Sequence, residues 1–442
     1  MTQSSRPSNG LAAFGNWQQA ARLLEQSARQ NPFVRRQLEK SKMAGSQLTS
    51  SDEAWATLPF ITKDDLMDDQ RLSPPFGLRC TSPVEDVAVV VESSGTTATG
   101  KEVHCITRED YAETLRNWGL SLRQMGISAS DIVAMTFPVG MSGGGVKHVD
   151  AYIGLGAKVL RIANLSTRAK LDALAYYGAT VLIGTPFYID RLGAVAAEAG
   201  IDVGALKVRK IVVATQSVTI DWVRSTERKW GAKLHEWYGT SAGLIAFTCE
   251  HGMVNEHGER GTLHWNPDFE LIEVLGVDSG TWVQGGERGE LVGTPLVSSA
   301  APLFRIRTRD EVRFRAPGTC RCGSPWPGIE SGTVRRLDGM FKVKGVNVWP
   351  SHVEAVLFGL DTIRDYRVRI MIDAQGRETM RMDVLTHPDG LLDGLPAMLT
   401  ERLRKETGLG FEVSATRDAS QWLLETSGEA AKPRRWVDER MK

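Results

Sequence analysis

The sequence predicts an α/β protein. A large N-terminal domain, residues 1–337, should carry mostly parallel sheets flanked by helices plus a β-rich subdomain. A small α+β lid, residues 338–442, should follow. Three observations carry this. Between Asp131 and Thr215, strand-like apolar runs alternate with helical patterns, the signature of right-handed βαβ units with ligands at the carboxyl ends of the strands. From Leu244 the texture changes to longer β segments. After Asp338-Gly339 a shorter helix-and-strand pattern begins, within the usual size of a domain.

The first residues, Met1 to Gly10, lack an apolar core of signal-peptide length and read as a tail. Trp17, Ala20, Leu23, Leu24 and Ala28 recur at helical spacing, predicting an amphipathic helix over Trp17–Gln30. A second helix is expected near Val34–Ala44. In Leu58–Leu66, Thr62 or Asp64 can cap a short helix. The apolar run Val87–Val91 reads as a buried strand and leads into Ser93-Ser-Gly-Thr-Thr-Ala-Thr-Gly-Lys101. Thr107–Asp110 looks like a capping box before the helix Tyr111–Gln124.

Strands follow at Asp131–Phe137, Lys158–Ile162, Thr180–Gly184 and Lys210–Thr215, with helices at Gly143–Leu155, Ser166–Tyr177 and Phe187–Ala199. Later β segments are Leu244–Cys249, Thr262–Leu275, Gly289–Thr294 and Val312–Arg315, with a hairpin bringing Cys249 towards His264. The lid reads as a hairpin (Phe341–Val348), a helix (Pro350–Leu360), two strands (Asp365–Ile372, Met380–Thr386), a helix (Leu392–Thr407) and a strand (Phe411–Ala415).

Composition limits the function classes. With 442 residues the chain can bury a large core. The 53 basic and 53 acidic residues cancel, which argues against nucleic acid or an anionic membrane surface as partner. No apolar run reaches the length of a membrane span. Five cysteines do not make a disulfide framework, so reduced thiols and a cytoplasmic location are expected.

Ser93–Lys101 combines glycines, hydroxyls and a lysine, a composition suited to polyphosphate oxygens. Gly95 to Lys101 fits the first seven positions of a Walker loop, but Glu102 stands where its magnesium-binding Ser or Thr belongs. Taken alone, the stretch reads sooner as a surface turn. Four further blocks follow it in order: His235-Glu-Trp-Tyr-Gly-Thr-Ser-Ala-Gly243, Pro302-Leu-Phe-Arg-Ile-Arg-Thr-Arg-Asp310, Asp338-Gly-Met-Phe-Lys-Val-Lys-Gly-Val-Asn-Val-Trp-Pro350 and Lys432-Pro-Arg-Arg-Trp-Val-Asp438.

On these blocks the chain resembles the acyl-adenylate-forming superfamily of acyl-CoA synthetases, adenylation domains and luciferases. Its nearest likeness is to the phenylacetate–CoA ligase branch. The resemblance implies an AMP-forming acid–CoA ligase that uses ATP, Mg2+ and coenzyme A on a small aromatic or heteroaromatic carboxylic acid. It leaves open transfer to an amine or carrier-protein thiol, a catalytically impaired relative, and a homodimer. It assigns catalysis to Lys432 and Thr96, and nucleotide binding to Ser93, Ser94, Gly95, Thr97, Gly100, Lys101, Gln216, Ser217, Tyr238, Gly239, Thr240, Ser241, Asp310 and Arg336. The hinge is placed at Asp338 and the acid pocket at Phe137, Gly143, Gly144, Lys147, His148 and Trp237. Lys432 would offset charge developing during adenylation.

Two local features bear on metal binding, and the first departs from that pattern. Where the family carries a magnesium-binding Glu after Tyr-Gly-X-(Ser/Thr), this chain has Ala242, leaving phosphate oxygens, water or another acid such as Glu236 to hold the ion. Cys249, Cys320 and Cys322 with one of His251, His257 or His264 offer three thiolates and an imidazole. That donor set suits structural Zn2+, with His251 and His264 the leading fourth ligands.

Overall fold

Apolar runs bounded by glycines and caps form the strands at the centre of the molecule, and amphipathic segments form the helices that cover them. In the computed structural model the described residues are 13–41, 52–93, 101–137, 139–141, 143–214, 218–337, 339, 341–357, 360, 362–373, 375–386, 390, 392–418 and 435–440. The chain divides into two compact units, one of Met1–Thr215 with Arg224–Val334 and one of Gln216–Val223 with Arg335–Lys442.

The first unit begins with β1 (Ala13–Phe14) and the helices α1 (Trp17–Gln30), α2 (Pro32–Ser41), α3 (Asp52–Ala56) and α4 (Lys63–Leu72). Ala20, Leu23 and Leu24 of α1 are buried with Val34, Trp55, Leu58, Leu271, Leu296 and Phe304, each large side chain contributing about 1.5–3 kcal/mol. Thr62 caps α4 with a complete capping box to Asp65. The hairpin β2 (Val87–Glu92) and β3 (Val103–Thr107) stands apart from the main sheet, so the Ser/Thr/Gly stretch joins two antiparallel strands. Thr107 caps α5 (Arg108–Gln124), but the Asp110 carboxylate accepts from the Ser299 hydroxyl and the Ala300 N–H. The expected capping box therefore forms only in its Thr107 half.

The alternating region gives β4 (Ile132–Met135), α6 (Gly143–Gly154), β5 (Lys158–Arg161), α7 (Thr167–Tyr177), β6 (Val181–Gly184), α8 (Pro186–Glu198), β7 (Lys210–Val213), α9 (Ile220–Trp230) and β8 (Lys233–Gly239). Strands β8, β7, β6, β4 and β5 lie side by side and parallel, as the alternation predicts. At β8 the character of the sheet changes. β9 (Ile245–Thr248) pairs antiparallel with it, and β10 (Thr262–His264), β11 (Glu270–Leu275), β12 (Arg288–Pro295), β13 (Ile306–Arg315) and β14 (Gly328–Glu330) extend the sheet antiparallel to β1. The single β segment expected over Thr262–Leu275 is two strands. Pro267 interrupts it, having no N–H for a ladder.

Arg305 joins the 302–310 block to the segment before α4 and to β11. Its guanidinium is fully buried, pairs with Glu273 at 2.9 and 3.0 Å, donates to the carbonyls of Ala56 and Leu58, and lies over the Phe60 ring. Two arginines of the 302–310 block therefore serve structure, since Arg307 likewise pairs with Glu290. Removing one partner of such a buried pair typically costs 3–5 kcal/mol. One expectation is corrected: Cys80 and Cys105 are joined as a disulfide and are not reduced thiols. The Arg79 guanidinium, bonded to Asp69 and to the Val103 carbonyl, brings their two segments together.

The second unit contains β15 (Arg335–Arg336), the hairpin β16 (Phe341–Val343) and β17 (Val346–Val348), α10 (Pro350–Leu357), β18 (Ile363–Ile372), β19 (Glu378–Thr386), α11 (Leu395–Thr407), β20 (Glu412–Thr416) and β21 (Trp436–Asp438). Its sheet runs β20-β19-β18-β21. Val353 and Leu357 of α10 and Leu399 and Leu403 of α11 cover it. The buried Arg435 ties β21 to Asp365 and Glu354. No described helix is long and apolar enough to cross a membrane.

Candidate active site

β8 supplies the junction around which the site forms. Successive side chains of a strand point to opposite faces. Trp237 accordingly packs with Trp118 and Phe247 on the face of α5 and α6, while Tyr238 joins the β-rich core on the other. The Tyr238 hydroxyl donates to Asp310 Oδ2 at 2.6 Å. Asp310 sits in a bulge: Arg307 opposes Val292 and Glu311 opposes Glu290, so Thr308, Arg309 and Asp310 face Leu291 alone. Arg305 and Arg309 adopt positive φ of 53° and 61° beside it. Bulges and strained backbone of this kind re-aim side chains at functional sites.

After Gly239 the chain turns tightly, with the Thr240 N–H donating to the Leu244 carbonyl. The turn presents Ser241, whose hydroxyl donates to Glu102 Oε2 at 3.0 Å. Glu102 stands at the foot of the β2–β3 hairpin. Its N–H donates to the Ser93 hydroxyl, and Lys63 and His104 approach its carboxylate at 3.4 Å. Burial alone would raise this carboxyl, but His104, Lys63 and Ser241 together hold it down at about 2, so Glu102 is ionised. Lys101, expected to meet phosphate, forms an exposed pair with Glu92 at 3.0 Å, worth little in water.

The acid suggested as a stand-in at Glu236 is unlike Glu102. It is buried, accepts the Gly332 N–H at 2.6 Å, and burial pushes its carboxyl up to about 8 despite that bond and the charge of Arg260. A protonated carboxyl is a poor ligand for a hard cation. Ala242 packs against Phe33, Ile61, Leu66, Leu303 and Ile306. Glu102 was legible in the sequence only as the residue that breaks the Walker pattern.

The residues assigned to the acid pocket come together around α6. Gly144 lies against Trp237, where a Cβ would come within 2.8 Å of the indole. His148 packs edge-to-face on Trp237 and Trp118, with Phe137 alongside. Lys147 is buried, and burial lowers its ammonium to about 8 against the pull of Glu270. Gly143 begins the helix. Asn117 and Glu270, bonded to each other at 3.2 Å, were not singled out from the sequence. Nothing in their surroundings in the chain marks them.

Cys249 follows β9, His264 ends β10, and Cys320 and Cys322 lie in the turn before β14. Their four ligand atoms fall within 4.8 Å of one another, and His251 is outside the group. Cys249 Sγ and Cys320 Sγ are 3.8 Å apart, and Cys322 Sγ and His264 Nε2 are 3.4 Å apart. A tetrahedron built on zinc bond lengths of about 2.3 Å to sulfur and about 2.0 Å to nitrogen has edges of about 3.8 and about 3.5 Å. His264 Nδ1 lies 3.2 Å from the Trp326 carbonyl, a hydrogen bond that leaves Nε2 to face a metal. The donor set fits Zn2+.

Arg336 is exposed and belongs to the second unit. Ser94, Gly95, Thr96, Thr97, Gly100, Gln216, Ser217, Asp338 and Lys432 lie outside the described residues.

Comparison with known proteins gives the family of the chain. Residues 18–297 match the model of the AMP-binding enzyme family, and the chain belongs to that family. It is 29% identical over 306 residues to a phenylacetate–coenzyme A ligase of Pseudomonas putida, covering 68% of this chain and 65% of that protein. It is 28% identical over 333 residues to the phenylacetate–coenzyme A ligase of Thermus thermophilus, covering 75% of this chain and 72% of that protein. Among solved structures, a 2-hydroxyisobutyryl-CoA ligase in complex with an acyl-AMP superposes with a TM-score of 0.83 at 20% identity, over 96% of this chain and 89% of that one. ATP-bound MatB from Rhodopseudomonas palustris superposes with a TM-score of 0.55 at 16% identity, over 76% and 66%. These two likenesses show the fold.

Proposed function

We infer that this protein is an AMP-forming acid–CoA ligase acting on an aromatic or heteroaromatic carboxylic acid. In the first half-reaction a carboxylate oxygen attacks the α-phosphorus of ATP, and the bond to pyrophosphate breaks to give the acyl-adenylate. In the second, the thiol of coenzyme A loses its proton and attacks the acyl carbon, and AMP leaves. The observation that carries this reading is the meeting of three distant sequence blocks. Ser241 links the adenine turn to Glu102 at the phosphate hairpin, and Tyr238 links it to Asp310.

In this reading Asp310 accepts the ribose hydroxyls, Tyr238 lies along the purine, and the Ser93–Lys101 stretch covers the phosphates. Lys432 serves adenylation, and the C-terminal lid turns about Asp338 between the half-reactions. Magnesium supplies neutralisation of phosphate charge when bound. Glu102, ionised and beside Ser241, is the residue that would hold it in place of the missing acid at 242. Zinc, bound by Cys249, His264, Cys320 and Cys322, closes with four protein ligands and is structural.

The test is acid-dependent pyrophosphate release from ATP across a panel of carboxylic acids, with and without coenzyme A. Acyl-CoA formed only when ATP, acid and coenzyme A are all present is expected. Adenylation that proceeds to product with an amine or carrier-protein thiol, and not with coenzyme A, would overturn the assignment of acceptor. Loss of pyrophosphate release in Lys432→Ala is expected, and an unchanged rate would remove that residue from the mechanism.

A further inference from the structure

The aromatic side chains around α6 form a box whose polar atoms have no partners. His148 is fully buried, with ring centroids 4.5 Å from Trp237, 4.7 Å from Trp118 and 5.7 Å from Tyr152. Neither nitrogen of His148 makes a hydrogen bond among the described residues. The same is true of the Tyr152 hydroxyl and of Nε1 of both Trp118 and Trp237. Leaving such a group unpaired is destabilising, and native proteins hold only a few per hundred residues. Here thirteen such atoms occur among the described residues, and five of them share this one cluster.

The box adjoins the adenylating site through Trp237, the residue before Tyr238. Gly144 and Gly239 both lack the Cβ that would strike the Trp237 indole, at 2.8 and 2.6 Å respectively. Both glycines therefore leave room for that ring to lie where it does. Phe137, Gly144 and Trp237 are only half-buried, so this side of the box is its approach.

The chemistry of the orphaned atoms defines what they can take. Trp118 and Trp237 only donate, while a neutral imidazole donates from one nitrogen and accepts at the other. The set is richer in donors than in acceptors. Burial pushes the His148 ring down to about 3, so it stays neutral. Lys147, the residue before His148, and Glu270 attract each other. A charged substituent would find no counter-ion left for it in this cluster.

On the ligase reading, we propose that the acid pocket selects an aromatic acid carrying a neutral hydrogen-bond acceptor, a phenolic hydroxyl or a pyridine-type ring nitrogen, at the end remote from the carboxylate. His148 is its specificity residue, assisted by Trp237 and Trp118. A plain aryl group would leave all five atoms unpaired. Sites built to bond a substrate hydroxyl reject the analogue lacking it by as much as about 10⁴-fold.

The experiment compares kcat/KM for pyrophosphate release by the full chain on matched acids: phenylacetate against its ring-hydroxylated forms, and benzoate against hydroxybenzoates and pyridine carboxylates. The acceptor-bearing acid should be preferred by at least about 100-fold, and His148→Phe should compress that ratio by tenfold or more. His148→Gln, which keeps a donor and an acceptor, should retain more of the preference, and it serves also where the Phe variant fails to fold. If acids are activated but the unsubstituted members match or exceed their partners, the substrate inference is overturned while the ligase reading stands. If His148→Phe leaves the preference intact, His148 is not its source and the inference fails. If ATP binds and no acid releases pyrophosphate, the ligase reading is overturned and this one with it.

Discussion

Replacing Glu236 by Gln separates the two acids that could compensate for Ala242. Glu236 is held protonated by burial, with a carboxyl pushed up to about 8 from an ordinary value near 4.5. A raised carboxyl contributes stability fully below its unfolded pKa, and that contribution is lost as pH rises towards the folded value. Each unit of that interval is worth about 1.4 kcal/mol, so the wild type should lose roughly 3–5 kcal/mol between about pH 5 and pH 8 from this residue alone. Gln keeps an acceptor for the Gly332 N–H and cannot ionise. Glu236→Gln should therefore match the wild type below about pH 4.5, exceed it increasingly from about pH 5, and hold a constant advantage above about pH 8. Urea unfolding of both proteins at a series of pH values measures this, and the difference between the curves isolates the residue. A difference that stays within about 0.5 kcal/mol across the range would mean that Glu236 is ionised in the fold. It would then return as a candidate metal ligand.

Glu102→Gln should weaken the Mg2+ dependence of ATP binding about tenfold or more, read by calorimetry at varied Mg2+ as well as by activity. Ala242→Glu added to that variant should recover part of the loss, whereas an unchanged Mg2+ dependence in Glu102→Gln would remove Glu102 from the metal site. The purified protein should carry about one zinc per chain by elemental analysis. Cys320→Ser should lower both the zinc content and the thermal midpoint, while His251→Ala should leave the zinc in place. Protein free of transition metal with a melting curve indifferent to a strong chelator would refute the zinc assignment.

The alternation of strands and helices was legible because a parallel sheet buries both faces and writes continuous apolar runs, as in the fully buried β6. The β-rich half was less so. Its strands bend around features that no periodicity carries: Pro267 within an expected strand, the bulge that aims Asp310, and the positive φ of Arg305 and Arg309. Of the three arginines before Asp310, two make buried or half-buried ion pairs with Glu273 and Glu290. Those acids come from β11 and β12, and sequence spacing does not report such long-range pairing.

His264 and Glu102 show why the rest of the site stayed out of reach. Three histidines lie near Cys249 in the chain, but β10 pairs antiparallel with β9 so that His264 falls opposite Phe247, two residues before Cys249. Proximity in sequence favoured His251 equally, and strand register decides against it. Glu102 departs from the Walker pattern and Ala242 from the pattern of the adenine block, with nothing in either stretch to connect them. In the fold Ser241 bonds Glu102 across 139 positions of chain, so the acid absent from one block stands at the foot of the other.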